Sequence, residues 1–242
     1  MQTATLVNFK QKFNTPPPVW FKEIKEEAYR KITEAPFTEV CKRADIEGMK
    51  ILNQNLWPFI ELFPRLVQRG YLKLLKPRLF FRHGFFNMTS LVYQSIVFLF
   101  SIKRDEKIHS RLWVDAGIAL GLQYPDDFKE APTPETLDWI KEVSNKSDPT
   151  EMFFAFASIE VIAESASHYL LGFQKFKEIL GEKGIGWFTV HTIDHGDISH
   201  ENLELRLAFA FDDSSDENTQ IKARRIILGI VDKFVTAANA GL

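Results

Sequence analysis

The sequence predicts an all-α protein, folded as one compact bundle of about seven to eight helices. Apolar residues along most of the 242 positions follow a helical spacing, and no stretch of convincing length alternates apolar and polar residues as a strand would. Hydrophobic residues make up 45% of the chain and charged residues 26%, so it can bury one sizeable core. We expect an N-terminal extension over residues 1–18 and one helical domain over residues 19–242.

Proline, glycine and capping residues divide this pattern into segments. The run Pro16-Pro17-Pro18 stops any earlier helix, and Thr133-Pro134 combines an N-cap with a proline at the first helical position. Asp148-Pro149 starts a further helix, whereas Pro58 and Pro64 should kink or break the segment that contains them. The predicted helices cover residues 20–34, 36–68, 85–102, 109–122, 134 onwards, 149–180, 187–211 and 220–238, with a glycine turn over 181–186 and an acidic loop over 212–218.

Composition argues against several classes of function. A net charge of −2 implies no polyanionic or membrane-surface partner, so we expect no nucleic acid and no membrane. Cys41 is the only cysteine, which excludes an intrachain disulfide and a thiolate cluster and fits a reducing compartment. The N-terminus offers no signal peptide, and the longest apolar run, residues 91–100, is about half the length of a membrane span. We therefore expect a soluble, cytoplasmic protein and leave a homodimer open.

Phenylalanine is unusually frequent, with 22 residues in the chain. Such a content suits an apolar pocket for a small-molecule substrate. It suits a phenylalanine-rich core equally well, and the sequence does not separate the two interpretations.

Three separate apolar segments carry carboxylate and histidine side chains. In chain order these residues are Glu106, His109, Glu160, His191, Asp197 and His200. Charges in an apolar interior are costly unless they are paired or bound to a metal. Neutral imidazole and carboxylate suit redox iron or manganese, and helix bundles build such sites from inward-facing side chains that include a Glu-x-x-His pair. The three segments therefore predict one shared metal site.

Each segment also has a simpler interpretation. Glu106 lies in a charged run, residues 103–107, that would suit a solvated turn. Glu160, Glu164 and His168 share one helical stripe, which is either a lined cavity or a polar outer face. Glu160 has the most apolar neighbours, so Glu164 and His168 better fit a supporting or solvent-facing role. The third segment, at residues 188–200, would otherwise be a histidine-rich polar face without metal.

A regular helix cannot direct the whole third segment to one site. His191 and His195 share a face, whereas Asp197 and His200 lie about 180° round the helix. A bulge or kink at Gly196 would rotate the last two residues inward, and such irregularities are frequent at functional sites.

Four stretches, taken together, carry a resemblance to a known family. They read QNLWPFIELFPRL at residues 54–66, DEKIHSRLW at 105–113 before ALGL at 119–122, PET at 134–136, and FTVH at 188–191. In this order they resemble the haem-oxygenase-like di-iron oxidases and oxygenases, the family of the chlamydial protein associating with death domains. The resemblance covers roughly residues 36–238. Related folds without the metal pair occur in thiaminase-II-like and pyrroloquinoline-quinone-forming enzymes.

The resemblance implies iron ligands at Glu106, His109, Glu160 and His191. It implies a non-haem di-iron enzyme that holds two Fe(II) ions, or manganese, and uses O2 as co-substrate. The expected chemistry is N-oxygenation, desaturation or oxidative C–C or C–N cleavage of an amino-acid-derived or fatty-acid-like molecule with an apolar or aromatic part.

The chain departs from the family in its last ligand segment. The family places Asp and His four and seven residues after the first histidine, where this chain has His195 and Ile198. The Asp-x-x-His spacing reappears at Asp197 and His200, which implies an insertion around Gly196. Either the insertion bulges out and six ligands remain, or His195 replaces the aspartate and one iron site is weak or lost. We favour the first arrangement.

Two alternatives belong to other functional classes. The chain would be a metal-free, thiaminase-II-like hydrolase or cofactor-binding module, or else a helical protein-interaction domain. Cys41 stands in a polar stretch that does not suggest a thiol nucleophile, which weakens the hydrolase alternative.

Overall fold

The computed structural model describes residues 16–75, 80–81, 84–192, 200–212 and 216–242. These residues form ten α-helices, one 3₁₀ turn (Asp126–Phe128) and no strand. The helices are α1 (Val19–Thr33), α2 (Pro36–Arg43), α3 (Ile46–Leu74), α4 (Phe85–Ala119), α5 (Pro134–Ser144), α6 (Pro149–Leu170), α7 (Gln174–Gly184), α8 (Gly186–Val190), α9 (His200–Phe211) and α10 (Asp216–Ala238). The all-α prediction is confirmed, with slightly more helices than expected.

Helix α3 runs through Pro58 and Pro64 without interruption, so of the predicted kink or break at these prolines the break is wrong. A proline removes the N–H that would bond to the carbonyl four residues earlier, which for Pro64 is the carbonyl of Ile60. The Ser110 hydroxyl of α4 donates to that carbonyl at 3.1 Å. The break lies instead at Ala44, whose φ of 57° ends α2 in the left-handed conformation.

Helix α4 is also continuous, over 35 residues, where the sequence suggested two helices joined by a charged turn. Residues 103–108 contain neither proline nor glycine, and Lys, Arg and Glu have high helix propensity, so the helix continues through the charged run. The pairing of α4 with α3 is close at Gly117, where a Cβ atom would lie only 2.6 Å from Asn53 Oδ1 of α3. Continuity places Glu106 and His109 on one face of a rigid element.

Helix α6 occupies the centre of the bundle and is covered by α1, α9 and α10. Asp148 caps it by accepting a hydrogen bond from the Thr150 N–H at 2.9 Å, as the sequence predicted. Its phenylalanines are fully buried, and Phe153 stacks on Phe211 of α9 with ring centroids 5.8 Å apart. The helix ends at Leu170, about ten residues earlier than expected.

The predicted long helix over residues 187–211 is divided between α8 and α9. Residues 193–199 lie outside the described residues, and they include His195, Gly196 and Asp197. The bulge expected at Gly196 therefore stays a prediction. The final helix begins at Asp216, within the segment that the sequence assigned to an acidic loop.

Within the described ranges, α4 is the one helix that is long and apolar enough to cross a membrane by length and composition. Residues 91–100, which the sequence singled out as the longest apolar run, form the middle part of this helix. Only 33% of its most apolar window is buried inside the protein. Core helices of water-soluble proteins meet the same two criteria.

Candidate functional site

Carboxylates and imidazoles from α4, α6, α8 and α9 come together inside the bundle, and we call them the acid–histidine cluster. Its members in the described residues are Glu106, His109, Glu160, His191, His200 and Glu204. On α4, Glu106 Oε1 lies 3.0 Å from His109 Nδ1. The His109 ring lies against that of His191, with centroids 4.6 Å apart. Glu106 and His109, which the sequence singled out by their i, i+3 spacing, therefore contact each other and face α8.

His191 is fixed by the backbone of its own helix. Its Nδ1 lies 2.7 Å from the Trp187 carbonyl oxygen, which can only accept a hydrogen bond, so Nδ1 carries the proton. The lone pair of the neutral ring is then on Nε2. Burial and the neighbouring His109 lower the pKa of His191 to about 4, so the imidazole is neutral at pH 7. This is the tautomer and charge state that a metal ligand requires.

Glu160 and His200 form the second acid–imidazole contact. Glu160 lies in the middle of α6 and His200 is the first residue of α9, with Oε1 and Nδ1 3.6 Å apart. Burial lowers the pKa of His200, but the charge of Glu160 outweighs this effect and raises the pKa above its ordinary value. The pKa of His109 is raised in the same way, because Glu106 outweighs the effect of burial.

Glu204 belongs to the cluster but was missed by the sequence analysis. Its side chain is completely buried in α9, and neither carboxylate oxygen has a hydrogen-bond partner among the described residues. Burial and the charges of Glu160 and Glu106 raise its pKa well above the ordinary value. A signal was present, because Glu204 stands between Leu203 and Leu205 and lies four residues after His200, on the same helical face.

The remaining sequence candidates lie elsewhere. Asp197 falls outside the described residues, as does His195. Glu164 forms an ion pair with Lys25 of α1 at 2.6 Å, and His168 is exposed to solvent. Lys25 also contacts Glu201 of α9 at 3.1 Å. These two acids therefore have a cationic partner, whereas those of the cluster face imidazoles or no partner within the described part of the chain.

The side chains of the cluster are of the types that bind a metal ion, although in this structure several of them contact one another. Within the described residues, no group of three or more His, Cys, Asp or Glu side chains is arranged around a point that could hold an ion. The donors are nevertheless three imidazoles and three carboxylates, the set that suits iron or manganese. Besides both oxygens of Glu204, Glu160 Oε1 is buried without a hydrogen-bond partner in the described structure.

An apolar pocket adjoins the cluster on the far side of two tryptophans. Its lining is almost entirely apolar, with Asn53 and Cys41 among the few polar residues, and part of the pocket is continuous with solvent. Trp113 and Trp187 line the pocket with ring centroids 4.8 Å apart, and the Trp187 ring lies 4.3 Å from that of His191. A molecule in the pocket would therefore lie one aromatic layer from the cluster.

Cys41 lines this pocket and is buried, in contrast to the polar surroundings that the sequence suggested. Burial raises the pKa of its thiol to about 12. Because the thiolate is the reactive form of cysteine, Cys41 is an inert apolar side chain at neutral pH.

Comparison with solved structures identifies the fold. The chain is similar to a TenA homolog from Pseudomonas syringae pv. tomato, with a TM-score of 0.69 and 18% identity over 93% of this chain and 96% of the other. It is also similar to a TenA homologue from P. horikoshii, with a TM-score of 0.61 and 17% identity over 90% and 93% of the two chains. No protein-family model and no curated protein matches the sequence.

These neighbours confirm the expected all-α, haem-oxygenase-like fold, which this chain shares with the two TenA homologues. Membership of the di-iron branch remains a prediction.

Proposed function

We propose that the protein is a metal-dependent oxidoreductase, in which the acid–histidine cluster holds redox-active iron or manganese, as a pair of ions when Asp197 contributes. The observation that carries this proposal is Glu204, a fully buried carboxylate without a hydrogen-bond partner in the described structure. An ionised carboxylate in such a place needs a cation or must take up a proton.

The charge distribution around the cluster favours the cation. Glu106, Glu160 and Glu204 place three carboxylates in one interior region, where burial, and then the charges of Glu160 and Glu106, raise the pKa of Glu204. None of the ion pairs that Lys and Arg form in the described structure involves these three acids. One or two divalent ions would offset the charge that the protein itself leaves uncompensated.

The chain's own residues suit such a site in further ways. The Trp187 carbonyl fixes the His191 ring so that its unprotonated Nε2 faces away from the backbone. Trp113 and Trp187 lie between the cluster and the apolar pocket, which offers an apolar or aromatic molecule a place to bind. Bound iron or manganese would supply redox chemistry with O2. We propose oxidation of a small, largely apolar molecule, with an amino-acid-derived or fatty-acid-like substrate as the specific expectation.

A second candidate is supported by the likeness to TenA proteins, namely a metal-free enzyme of the thiaminase-II-like class. In that case Glu204, whose pKa is raised by burial, would hold a proton and act as a general acid. The inert thiol of Cys41 means that such an enzyme would not use a covalent cysteine intermediate. Hydrolysis would instead proceed by acid–base activation of water.

Metal analysis separates the two candidates. We would load the full chain anaerobically with Fe(II), remove free metal, and measure iron per chain together with O2 consumption. The first candidate predicts stoichiometric iron, retained by His168→Ala but lost by His109→Ala and Glu204→Met. His168 is the matched control because it is an exposed histidine on α6.

A wild-type chain that retains no iron or manganese, with an intact helical circular dichroism spectrum, would rule out the first candidate. Under the second candidate the protein binds no metal, and Glu204→Met abolishes activity on the substrate that the wild type hydrolyses.

A further inference from the structure

Large apolar side chains are exposed together where α3 ends and α4 begins, and we call this region the apolar corner. Its members are Leu72, Leu75, Phe81, Phe85 and Phe86. Three of them are almost fully accessible, with exposed fractions of 73% for Leu72, 90% for Phe81 and 87% for Phe86. The rings of the neighbours Phe85 and Phe86 contact each other, with centroids 5.8 Å apart. Isolated exposed apolar residues are ordinary, but a contiguous group indicates an interaction surface.

Helix α4 extends this surface along one side. Tyr93 and Phe100 follow Phe86 at intervals of seven residues and therefore lie on the same helical face. They are 58% and 54% exposed. The Phe100 ring packs on Tyr71 of α3 at 4.6 Å, which keeps this stripe beside the end of α3. The incomplete burial of α4 is thus concentrated on one face.

The sequence around the apolar corner is strongly basic, although the whole chain is nearly neutral. Between Glu61 and Asp105 there is no acidic residue, and there are eight Lys and Arg residues. Arg65 and Arg69 are exposed and form no ion pair in the described part of the structure. They lie four residues apart on α3 and are followed by Leu72 on the same face. Exposed cations therefore border the apolar surface directly.

We propose that the apolar corner docks on the surface of a bilayer that contains anionic lipids. Exposed aromatic and aliphatic side chains beside Lys and Arg are the combination that binds at the boundary between head groups and acyl chains. This revises the expectation of no membrane partner, which rested on the net charge of the whole chain. The proposal is independent of the metal site.

A second copy of this chain is a poorer occupant of the same surface. Most dimers are two-fold symmetric and bring the same patch of both subunits together. Such an interface would place the two basic borders opposite each other with no acidic residue of residues 62–104 to compensate them. An anionic lipid surface has the opposite charge to the basic border, and its acyl chains can accommodate the exposed apolar side chains of the corner.

Vesicle sedimentation with the full chain tests this proposal. The protein would be incubated with vesicles of phosphatidylcholine alone, or of phosphatidylcholine with phosphatidylglycerol, at low and high salt. We expect binding to the anionic vesicles that weakens as salt is raised, because screening reduces the attraction. We expect roughly tenfold weaker binding to neutral vesicles, given the contribution of a few basic residues near an anionic surface.

Two double variants separate the apolar and the charged contributions. Phe81→Ser with Phe86→Ser removes apolar contact, and Arg65→Glu with Arg69→Glu reverses the charge; each should weaken binding roughly tenfold or more. Matched controls are Leu137→Ser with Ile221→Ser and Lys22→Glu with Arg43→Glu, which change exposed residues elsewhere. The controls should bind as the wild type does.

The proposal fails if the wild type does not sediment with anionic vesicles, or if all variants bind equally. Sedimentation velocity tests the main alternative, in which a second copy of this chain occupies the corner. A stable dimer that dissociates in the Phe81→Ser, Phe86→Ser variant would show that the corner is occupied by a second copy, and would also overturn the proposal.

Discussion

Two pairs of carboxylates on α6 and α9 differ in the partners that the fold gives them. Glu164 of α6 and Glu201 of α9 share the ammonium group of Lys25, at 2.6 and 3.1 Å. Glu160 lies one helical turn before Glu164, and Glu204 three residues after Glu201, yet neither contacts a Lys or Arg side chain in the described residues. The first pair is partly solvated, whereas Glu204 is completely buried.

The difference shows what kind of compensation each pair requires. Helix α1 provides Lys25 to the outer pair, so that contact is complete within the protein. Burial lowers the pKa of Lys25, but Glu201 and Glu164 outweigh this and hold it above the ordinary value. The inner pair contacts only imidazole or nothing in the described structure, and this is why we expect a metal ion or a proton there.

The largest expected effect concerns acid stability of the inner cluster. The pKa of His191 is lowered to about 4, so its contribution to stability is fully present above pH 6.5 and is lost as pH falls through 4. Relative to His191→Phe, the metal-free wild type should lose about 3 kcal/mol of unfolding free energy over this interval. Urea unfolding at a series of pH values measures it, and Lys25→Met serves as a control that should retain the pH dependence. Parallel pH profiles for wild type and His191→Phe would contradict this account.

Removal of the cation from the outer pair should have the next largest effect. Lys25→Met leaves Glu164 and Glu201 close together without a partner, and should lower the free energy of unfolding by about 2 kcal/mol. The control is Lys22→Met, whose side chain is exposed and pairs with Glu26 only at 3.9 Å. Equal stability of the two variants in urea would show that Lys25 is not needed to compensate the outer pair.

Glu204→Met should act in the opposite direction on the metal-free protein. The pKa of Glu204 is raised, so its ionisation costs stability as pH increases above about 4.5. The variant should therefore be about 1–2 kcal/mol more stable than the wild type at pH 8, with a smaller difference at pH 5. With Fe(II) present the order should reverse, because only the wild type gains from binding. Thermal unfolding with chelator or Fe(II) measures both comparisons, and lower stability of the variant under chelator would refute them.

The smallest effect is expected for the outer acid that is most accessible. Glu164→Gln keeps the shape of the side chain and leaves Lys25 its contact with Glu201, so the loss should be about 0.5 kcal/mol. High salt should reduce the difference between this variant and the wild type in urea unfolding, as expected for a partly solvated ion pair. A loss of unfolding free energy as large as that caused by Lys25→Met would contradict the expectation that Glu164 contributes little to stability.

The fold class was predictable because its signals are local. Thr133 and Asp148 cap the helices that follow them, with Thr133 Oγ1 accepting from the Thr136 N–H at 3.2 Å. Helical spacing without alternation was enough to predict an all-α bundle. The continuity of α3 was not predictable, because the hydroxyl that satisfies the carbonyl freed by Pro64 comes from Ser110, 50 residues away.

The sequence predicted the region in which the candidate site lies, but not all of the residues that form it. Glu160 and His191 stand out because each is a polar residue among apolar neighbours, and Glu106 because it lies three residues before His109. The fold brings these residues into one region. Glu204 was overlooked because its burial depends on how α9 packs against α6. The distinction between Glu160 and Glu164 likewise depends on Lys25, which lies more than 130 residues away.

The contact between the two tryptophans and His191 has a practical consequence. Trp113 and Trp187 are buried and adjacent, and the second touches the imidazole directly. Their fluorescence therefore originates within a few ångströms of the place where an ion would sit. If the proposed site binds iron, titration with Fe(II) should quench that emission in proportion to occupancy, which would make these tryptophans an intrinsic optical reporter of the site.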